Sequence, residues 1–300
     1  MSVLALDIGG TKLAAGLVDD QGVVLRSERV PTEPADPWPA LADLIGRVVG
    51  DQRIDGVGIG CGGPLTWPAG AVSPLNIPGW RDFPLRARVS DLLPGVPVRL
   101  HNDAVALAVA EHWQGAGQGA AEMIGMVVST GVGGGLILGG RLVDGATGNA
   151  GHIGHVVVEP EGPLCACGGR GCLEAVARGP ATVAWARERG SVAQDGATLA
   201  ALAAQGDEVA LAALARSGTA VGRVVAWSAA LLDVPVVVVG GGLAQSGAPF
   251  WDPMLAAVRE TAVLPFLRTL RVVPPALGPD AGLVGAAALV LAGDRYWSAG

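Results

Sequence analysis

Several features are scarce in this 300-residue sequence, and each scarcity excludes a class of protein. Lysine and arginine number 20 against 27 acidic residues and form no basic cluster, so neither nucleic acid nor an anionic membrane is an expected partner. Apolar runs are far shorter than the roughly 20 residues of a membrane-spanning helix, and the first residues lack the basic start of a signal peptide. Only four cysteines occur, which suits a reducing compartment. We therefore expect a cytoplasmic protein without a membrane partner.

The order of the sequence patterns points to two α/β domains. A pattern of strand, glycine-rich turn and strand begins near Asp7 and recurs near Ser129, and a glycine-rich break lies at residues 115–119. This duplication predicts two similar halves that face each other across a cleft, with residues 1–115 in the first and residues 116–280 in the second. Helical spacing of apolar residues predicts a helix at residues 38–49, and we expect a closing helix at residues 281–291. We expect the C-terminal helix, about residues 281–300, to pack back on the first half.

The densest chemical signal lies between His155 and Cys172. Cys165, Cys167 and Cys172 follow the histidine at spacings that indicate a metal site rather than a disulfide framework. Three thiolates and one imidazole complete the tetrahedral coordination of Zn²⁺ and leave no open position for water, as in a structural site. The alternative is a disulfide with unpaired cysteines, which nothing else in the sequence supports. We predict a structural zinc ion at these four residues.

Two glycine-rich turns, each after a buried strand, predict phosphate binding. Rows of backbone N–H groups bind phosphate oxygens without side-chain charge, and glycine lets the backbone approach them closely. Neither turn has the spacing of the phosphate loop that precedes a helix, and the alternative is a pair of simple hairpins. Asp7, ahead of the first turn, is a candidate ligand for Mg²⁺. The other predicted nucleotide contacts are Gly9, Gly10, Thr11 and the peripheral charge Lys12 in the first turn, and Thr130, Gly131, Gly133 and Gly134 in the second.

Asn102 and Asp103 stand where a predicted strand meets a predicted helix. A carboxylate there is placed to accept the proton of a sugar hydroxyl as that hydroxyl attacks a γ-phosphoryl group, while Asn102 orients the sugar. The alternative is that either residue merely caps the helix. A G-x-G-x-x-G string from Gly58 to Gly63 follows another strand, but Pro64 comes next and no suitable acidic residue follows. We interpret it as a substrate-side loop rather than a dinucleotide site.

Together these motifs resemble the ROK family of sugar kinases, repressors and related proteins. The resemblance implies a two-lobed, actin-like (ribonuclease H-like) ATPase fold in which Mg-ATP lies between the two turns, with Gly240, Gly241 and Gly242 near the nucleoside. It also implies a homodimer or a homotetramer. It runs from residue 4 to residue 290 and rests on Asp7-Ile-Gly-Gly-Thr-Lys12, Asn76-Ile-Pro-Gly-Trp80, Asn102-Asp103, residues 129–135, Gly154-His155, the clustered cysteines with Glu174, Gly240-Gly-Gly242 and Ala281-Gly-Leu-Val-Gly-Ala286.

The same resemblance implies roles around the sugar. Asp103 would be the general base on the 6-hydroxyl. His155 would have two functions, with one ring nitrogen on zinc and the other toward the sugar. Repressors of the family carry a winged helix ahead of the kinase-like body, and we expect none here because the first strand begins near residue 2. The predicted substrate-binding residues are Gly63, Asn76, Asn102, Asp103, His152, His155 and Glu174.

One departure from the family pattern bears on the substrate. Most sugar kinases of the family have Glu-x-Gly-His where this chain has His152-Ile-Gly-His155. A neutral imidazole offers one donor and one acceptor where the carboxylate accepts two hydrogen bonds, so recognition near C1 and C2 of the sugar should differ. The local sequence resembles bacterial N-acetylmannosamine kinases, and we predict that sugar as the substrate, with glucose as the alternative. A non-catalytic sugar-responsive protein and a polyphosphate-dependent kinase stay open, and a second departure, Arg178 in place of a common serine, has no interpretation.

Overall fold

The computed structural model describes residues 1–297, which form two compact units. The first unit contains Met1–Ala121, Gly135–Gly151 and the described residues from Ala276 onward, and the second contains Glu122–Gly134 and His152–Pro275. The division therefore differs from the predicted bounds by a few residues, at 116–121 and 276–280. The main difference is the segment of residues 135–151. These residues lie with the first unit because Gly135 packs against Val105 and Ala108, and because the Asn149 side chain hydrogen bonds both backbone groups of Leu65, at 3.1 and 2.9 Å.

The first unit is built on a five-stranded sheet. The strand order is β3-β2-β1-β4-β7, with β1 to β3 antiparallel and β1, β4 and β7 parallel. Parallel strands end at the same edge of a sheet, so the residues that follow β1, β4 and β7 come together. In chain order the elements are β1 (Ser2–Ile8), β2 (Lys12–Asp19), β3 (Val24–Pro31), α1 (Trp38–Val49), β4 (Gly56–Cys61), β5 (Leu65–Thr66), β6 (Ala71–Val72), α2 (Leu85–Leu92), β7 (Val98–Asn102) and α3 (Asp103–Gln114).

The second sheet has the strand order β10-β9-β8-β11-β12. The last two helices, α9 and α10, return to the first unit. The remaining elements are β8 (Met123–Val128), β9 (Val132–Leu138), β10 (Arg141–Leu142), the 3-10 turn Ile153–His155, α4 (Leu173–Ala177), α5 (Gly179–Arg187), α6 (Gly196–Ala204), α7 (Glu208–Leu232), β11 (Val236–Gly240), the 3-10 turn Leu243–Ser246, α8 (Ala248–Thr261), the 3-10 turn Pro265–Thr269, β12 (Arg271–Val273), α9 (Ala281–Leu291) and α10 (Gly293–Tyr296).

The sequence of β1 explains how the first sheet buries both of its faces. Successive side chains of a strand point to opposite faces, so Leu4 and Leu6 enter the core that also contains residues of α1. Val3 and Ala5 point the other way and pack with Leu283 of α9. A strand that is apolar at almost every position is the pattern of a strand covered on both faces. Helices α1 and α9 provide the two covers.

Helix α7 is long and apolar enough to cross a membrane, but the structure makes it a core helix. Of the most apolar stretch of this helix, 61% is buried inside the structure. Gly218 and Gly222 lie so close to α8 that a Cβ on either would come within 2.2 Å of a backbone oxygen. Asp207 caps the helix by accepting the Ala210 N–H at 2.8 Å. Packing against α8 therefore accounts for the apolar composition of α7.

His112, in the last turn of α3, ties this helix to α10. Its Nε2 lies 2.7 Å from the carbonyl oxygen of Ala120 and its Nδ1 lies 2.7 Å from the hydroxyl of Tyr296. A neutral ring satisfies both partners, with Nε2–H donating and Nδ1 accepting. Burial lowers the pKa of His112; the hydrogen bond to Ala120 opposes this shift and the nearby charge of Arg295 adds to it.

We predict that His112 makes the protein less stable in mild acid. Its pKa in the folded state lies below the ordinary value of 6.5, so as the pH falls through 6.5 the unfolded chain binds the proton first and stability is lost. The test is the urea midpoint at pH 7.5 and pH 5.5 for the wild type and for His112→Gln. We expect a smaller acid-induced drop in the variant, since the other histidines contribute equally to both proteins. Equal drops would contradict the assignment.

Candidate active site and metal centre

The ends of three parallel strands place the predicted acidic residues at one edge of the first sheet. Asp7 of β1 is paired in register with Gly60 of β4, which is paired with His101 of β7. Asn102 ends β7, and Asp103 follows it as the first residue of α3. The candidate magnesium ligand therefore lies on β1 and the candidate base directly follows β7, and only β4 separates these two strands.

Burial dominates the electrostatics of this edge. Burial raises the pKa of Asp7, and the positive charges of Lys12 and Arg29 oppose this shift. Cys61, at the end of β4, is fully buried. Burial raises the pKa of its thiol well above the ordinary value, and the negative charges of Asp103 and Asp7 raise it further. Two carboxylates that act on one buried thiol create a negative potential that favours a bound cation.

The first glycine turn is a tight hairpin. The alternative prediction of a simple hairpin therefore describes the geometry of this turn correctly. The Gly9 N–H donates to the carbonyl oxygen of Lys12 at 3.0 Å. Thr11 and Lys12 are both exposed. Gly10 has no room for a side chain because a Cβ there would lie 2.8 Å from Asn76. The close approach of Gly10 to Asn76 brings a predicted nucleotide contact and a predicted sugar contact together.

The loop that carries Asn76 is held rigidly against the end of β4. A Cβ on Gly62 would lie 3.2 Å from the Asn76 side-chain oxygen, and the predicted sugar contact Gly63 is the next residue. Arg81 fixes the loop through one guanidinium nitrogen. Its Nη1 donates to the carbonyl oxygens of Pro74 at 3.0 Å, Ile77 at 3.1 Å and Trp80 at 2.6 Å.

Asn102 caps α3, and Asp103 is the first residue of this helix. The side-chain oxygen of Asn102 accepts the Ala104 N–H at 2.9 Å, and Oδ1 of Asp103 accepts the same N–H at 2.8 Å. The capping alternative is therefore correct as local structure. It does not compete with a catalytic role, because the cap hydrogen bond fixes the orientation of the Asp103 carboxylate.

The second glycine turn is shorter than predicted. Strand β9 begins at Val132, so Gly133 and Gly134 lie inside a strand and the turn comprises only residues 129–131. The predicted turn, which included Gly133 and Gly134, thus extends too far, because a run of glycines favours a turn interpretation. Thr130 is exposed at the tip, and the Ser129 N–H donates to the Gly131 carbonyl oxygen at 2.8 Å.

Glu174 supports this second turn. Its Oε2 accepts the Val132 N–H at 2.9 Å, and a Cβ on Gly131 would lie 2.9 Å from the same oxygen. Sequence patterns give no sign of this contact, since its partners are 42 residues apart. The structure therefore links the predicted sugar ligand Glu174 to a predicted phosphate turn.

The third glycine cluster lies beside the second turn. Strand β11 pairs with β8 in parallel, with Gly240 opposite Val127. Gly241 has a φ of +99° and lies so close to β8 that a Cβ would come within 2.4 Å of the Val128 carbonyl oxygen. At Gly242, a Cβ would lie 3.6 Å from the Ser129 hydroxyl. Both glycine turns of the second unit thus occur at one sheet edge.

The structure brings the four predicted zinc ligands together. The donor atoms of His155, Cys165, Cys167 and Cys172 all lie within 4.8 Å of one another. The Cys167 and Cys172 sulfurs are 3.8 Å apart, the edge of a tetrahedron of about 3.8 Å that follows from a Zn–S bond of about 2.3 Å. A disulfide would bring them to about 2.05 Å, and all four cysteines of the chain are free thiols. Donor chemistry and spacing both fit zinc.

The backbone around the cysteines is shaped by glycine. Gly171 has a φ of +68°, and a Cβ there would lie 1.6 Å from the carbonyl oxygen of Glu159. Gly168 has a φ of +90° and donates its N–H to the Cys165 carbonyl oxygen at 3.0 Å. A Cβ on Gly169 would touch both the Cys167 and Cys172 sulfurs. Gly168 and Gly171 require glycine for the loop to curl around an ion.

His152 stands at the start of the 3-10 turn that contains the predicted zinc ligand His155. The two imidazole rings are nearly parallel, at 22°, with centroids 6.1 Å apart. The Nδ1 of His155 faces the Cys165 sulfur at 3.8 Å. The residue that departs from the family pattern is therefore a direct neighbour of the metal centre.

The chain matches a known protein family over nearly its whole length. The model of the ROK family matches residues 3–292. The chain belongs to the ROK family. An N-acetylmannosamine kinase from Citrobacter koseri is 40% identical in an alignment that covers 98% of this chain and 100% of the relative. A glucokinase from Thermotoga maritima is 34% identical in an alignment that covers 97% of each chain. The predicted family is confirmed.

Solved structures of the ROK family share the fold. A ROK family glucokinase from Streptomyces griseus, in complex with glucose and AMPPNP, is 36% identical with a TM-score of 0.84, covering 96% of this chain and 99% of the other. A ROK hexokinase from Thermus thermophilus is 39% identical with a TM-score of 0.83, covering 96% and 97%. The predicted α/β fold of the actin-like ATPase class is confirmed.

We predict that protein purified without a chelator contains about one zinc ion per chain. Replacing one thiolate in Cys172→Ser should reduce the zinc content at least about tenfold, because a closed site loses one of its four ligands. Cys61→Ala is the matched control, since Cys61 lies outside the cluster, and it should retain full zinc content. Metal analysis by mass spectrometry measures both, and zinc-free wild-type protein would exclude the site.

Proposed function

We propose that the chain is an ATP-dependent kinase that transfers the γ-phosphoryl group to the 6-hydroxyl of N-acetylmannosamine. The observation that carries the kinase assignment is the single sheet edge that holds Asp7, the first glycine turn and Asp103. Full-length relatives named as sugar kinases support the class. We further propose that it works as a dimer or tetramer in the cytoplasm.

In this reaction Asp103 accepts the proton of the sugar 6-hydroxyl while the hydroxyl oxygen attacks the γ-phosphorus and ADP leaves. The capping hydrogen bond from Ala104 holds the carboxylate in one orientation. Asp7 is the residue that would hold Mg²⁺, which, when bound, offsets the charge of the phosphates. Backbone N–H groups of the glycine turns would bind the phosphate oxygens, and most of the rate enhancement would come from positioning.

Zinc would be held by His155 and the three clustered cysteines and would supply rigidity rather than chemistry. With the Nδ1 of His155 facing Cys165, its Nε2 is the nitrogen that we assign to a sugar hydroxyl. Glu174, with Oε2 on the Val132 N–H, is assigned to a second sugar hydroxyl. The metal would thereby fix the position of a sugar ligand without contacting the reacting atoms.

His152 supports N-acetylmannosamine over glucose. The imidazole stands beside His155 and replaces the carboxylate that accepts two hydrogen bonds in most sugar kinases of the family. A site with fewer acceptors near C1 and C2 suits a sugar whose C2 substituent is an amide rather than a hydroxyl. The relatives with 40% and 34% identity are named as an N-acetylmannosamine kinase and a glucokinase. The proposed substrate therefore rests on His152 of this chain.

We predict that Asp103→Asn lowers kcat about a thousandfold while the fold stays intact, because the amide retains an acceptor for the Ala104 N–H but cannot accept the substrate proton. Asp207→Asn is the matched control: Asp207 is also a helix cap, accepting the Ala210 N–H at 2.8 Å, and lies outside the proposed site. The control should keep wild-type activity. Retention of more than about a tenth of the wild-type rate in Asp103→Asn would end the assignment of the base.

The substrate is tested with N-acetylmannosamine, glucose, mannose and N-acetylglucosamine, each with Mg-ATP. We expect the highest kcat/KM for N-acetylmannosamine, and His152→Glu should move the ratio toward glucose by about tenfold or more. His152→Gln, which also lacks a carboxylate, is the control and should keep the wild-type order of sugars. An unchanged ratio in His152→Glu would remove this residue from substrate choice.

The same assay separates the other classes. A sugar-responsive binding protein would bind a sugar without turning over ATP. A polyphosphate-dependent kinase would phosphorylate the sugar faster with polyphosphate than with ATP. Either outcome would contradict the proposed function.

A further inference from the structure

His101 is a fully buried histidine that the proposed reaction does not use, yet it immediately precedes Asn102 and Asp103. Its Nδ1 lies 2.8 Å from the Asn102 backbone nitrogen, which donates to it. Its Nε2 lies 3.1 Å from Oδ1 of Asp144. Both ring nitrogens are therefore occupied by partners of the same unit.

These two contacts fix the state of the ring. A backbone N–H can only donate, so the Nδ1 of His101 carries the lone pair and Nε2 carries the proton. The Nε2–H then donates to the Asp144 carboxylate, whose side chain is only 11% exposed. Hydrogen bonds to a charged acceptor in such a setting are strong. The ring is held in one tautomer and one orientation.

The His101 ring accepts a hydrogen bond from a backbone N–H on the outer side of the sheet, where no strand provides an acceptor. Strand β7 is the edge strand of the first sheet and pairs only with β4. The N–H of Asn102 bonds to the ring of its neighbour His101 instead of to a further strand. A buried N–H left without an acceptor is destabilising. The end of β7 thus depends on this imidazole at the residue before Asp103.

Two further contacts hold the pair in place. The ring of Trp67 lies against His101, with centroids 5.6 Å apart and an interplanar angle of 45°. Asp144 lies in a segment that Asn149 anchors through its two hydrogen bonds to Leu65. The carboxylate that orients His101 is therefore on a supported part of the chain.

We propose that His101, oriented by Asp144, is a positioning residue that sets the direction of the Asp103 carboxylate. This inference rests on the proposed function of Asp103 as the general base. His101 contacts no reacting atom in this scheme. It acts through the backbone of Asn102, and a displacement of about 1 Å at a catalytic group is enough to lower a rate about a hundredfold.

The first experiment is His101→Phe, which keeps a buried ring beside Trp67 and removes both hydrogen bonds. We expect kcat to fall about 10- to 100-fold, with KM for ATP and for the sugar changed less than about threefold. Asp144→Ala should show the same pattern and serves if His101→Phe does not fold. Asp144→Asn, which retains an acceptor for Nε2–H, should recover most of the rate. An unchanged kcat in both His101→Phe and Asp144→Ala would overturn the proposal.

The second experiment separates positioning from general damage. If His101 acts only through Asp103, then His101→Phe should add no further loss of kcat in an Asp103→Asn background. An equal fold-loss in both backgrounds would show that the histidine acts by another route. His112→Phe is the matched control, since it removes a buried, doubly bonded histidine at the far end of α3. It should lower stability without changing kcat.

A third measurement does not depend on activity. Long-range ¹H–¹⁵N spectra of the imidazoles should show the Nε2–H tautomer for His101 in the wild type, and Asp144→Ala should alter that signal. An Nδ1–H tautomer would overturn this inference alone, as would an additive cycle. An active Asp103→Asn enzyme would instead overturn the assigned base, and this inference would fail with it.

Discussion

The first unit depends on a backbone contact so close that only glycine fits. A Cβ on Gly58 of β4 would lie 1.8 Å from the carbonyl oxygen of Ala286, and a Cβ on Gly285 would lie 1.7 Å from that of Ala106. Helix α9 is thereby pressed against both β4 and α3. Any side chain at either glycine would force this helix away, and with it the cover over one face of the sheet.

The same contact shapes the acidic edge. At Gly282, in the first turn of α9, a Cβ would lie 2.6 Å from Oδ2 of Asp7. The N-terminal end of a helix carries partial positive charge, which favours a neighbouring carboxylate. Burial still raises the pKa of Asp7, because a carboxylate without a neighbouring cation is less favourable in a buried position. A buried carboxylate with a pKa shifted in this way is typical of functional sites.

Local sequence patterns predicted much of this architecture, but they did not predict the long-range hydrogen bonds. The helix at Trp38–Val49 has the predicted bounds because its apolar spacing defines it, and the helix at Ala281–Leu291 has them because it is one continuous apolar run. The metal ligands come from one short segment, so their spacing was sufficient. The hydrogen bonds of Glu174 to Val132 and of His101 to Asp144 span 42 and 43 residues. No periodicity records such pairs, and the start of β9 was hidden because glycine suits a turn and is tolerated in a strand.

In the second unit, one short helix connects three parts of the proposed chemistry. Cys172, a predicted zinc ligand, is the N-cap of α4, and Glu174 follows within its first turn. Glu174 in turn holds the second glycine turn through Val132. The predicted zinc ligand, the predicted sugar ligand and the predicted phosphate turn are therefore joined over two residues of chain and one hydrogen bond. In the proposed function, a loose cysteine loop would release the start of α4, move Glu174 and free the Val132 N–H. The proposed zinc ion would thus make sugar recognition and the second turn a single rigid structure.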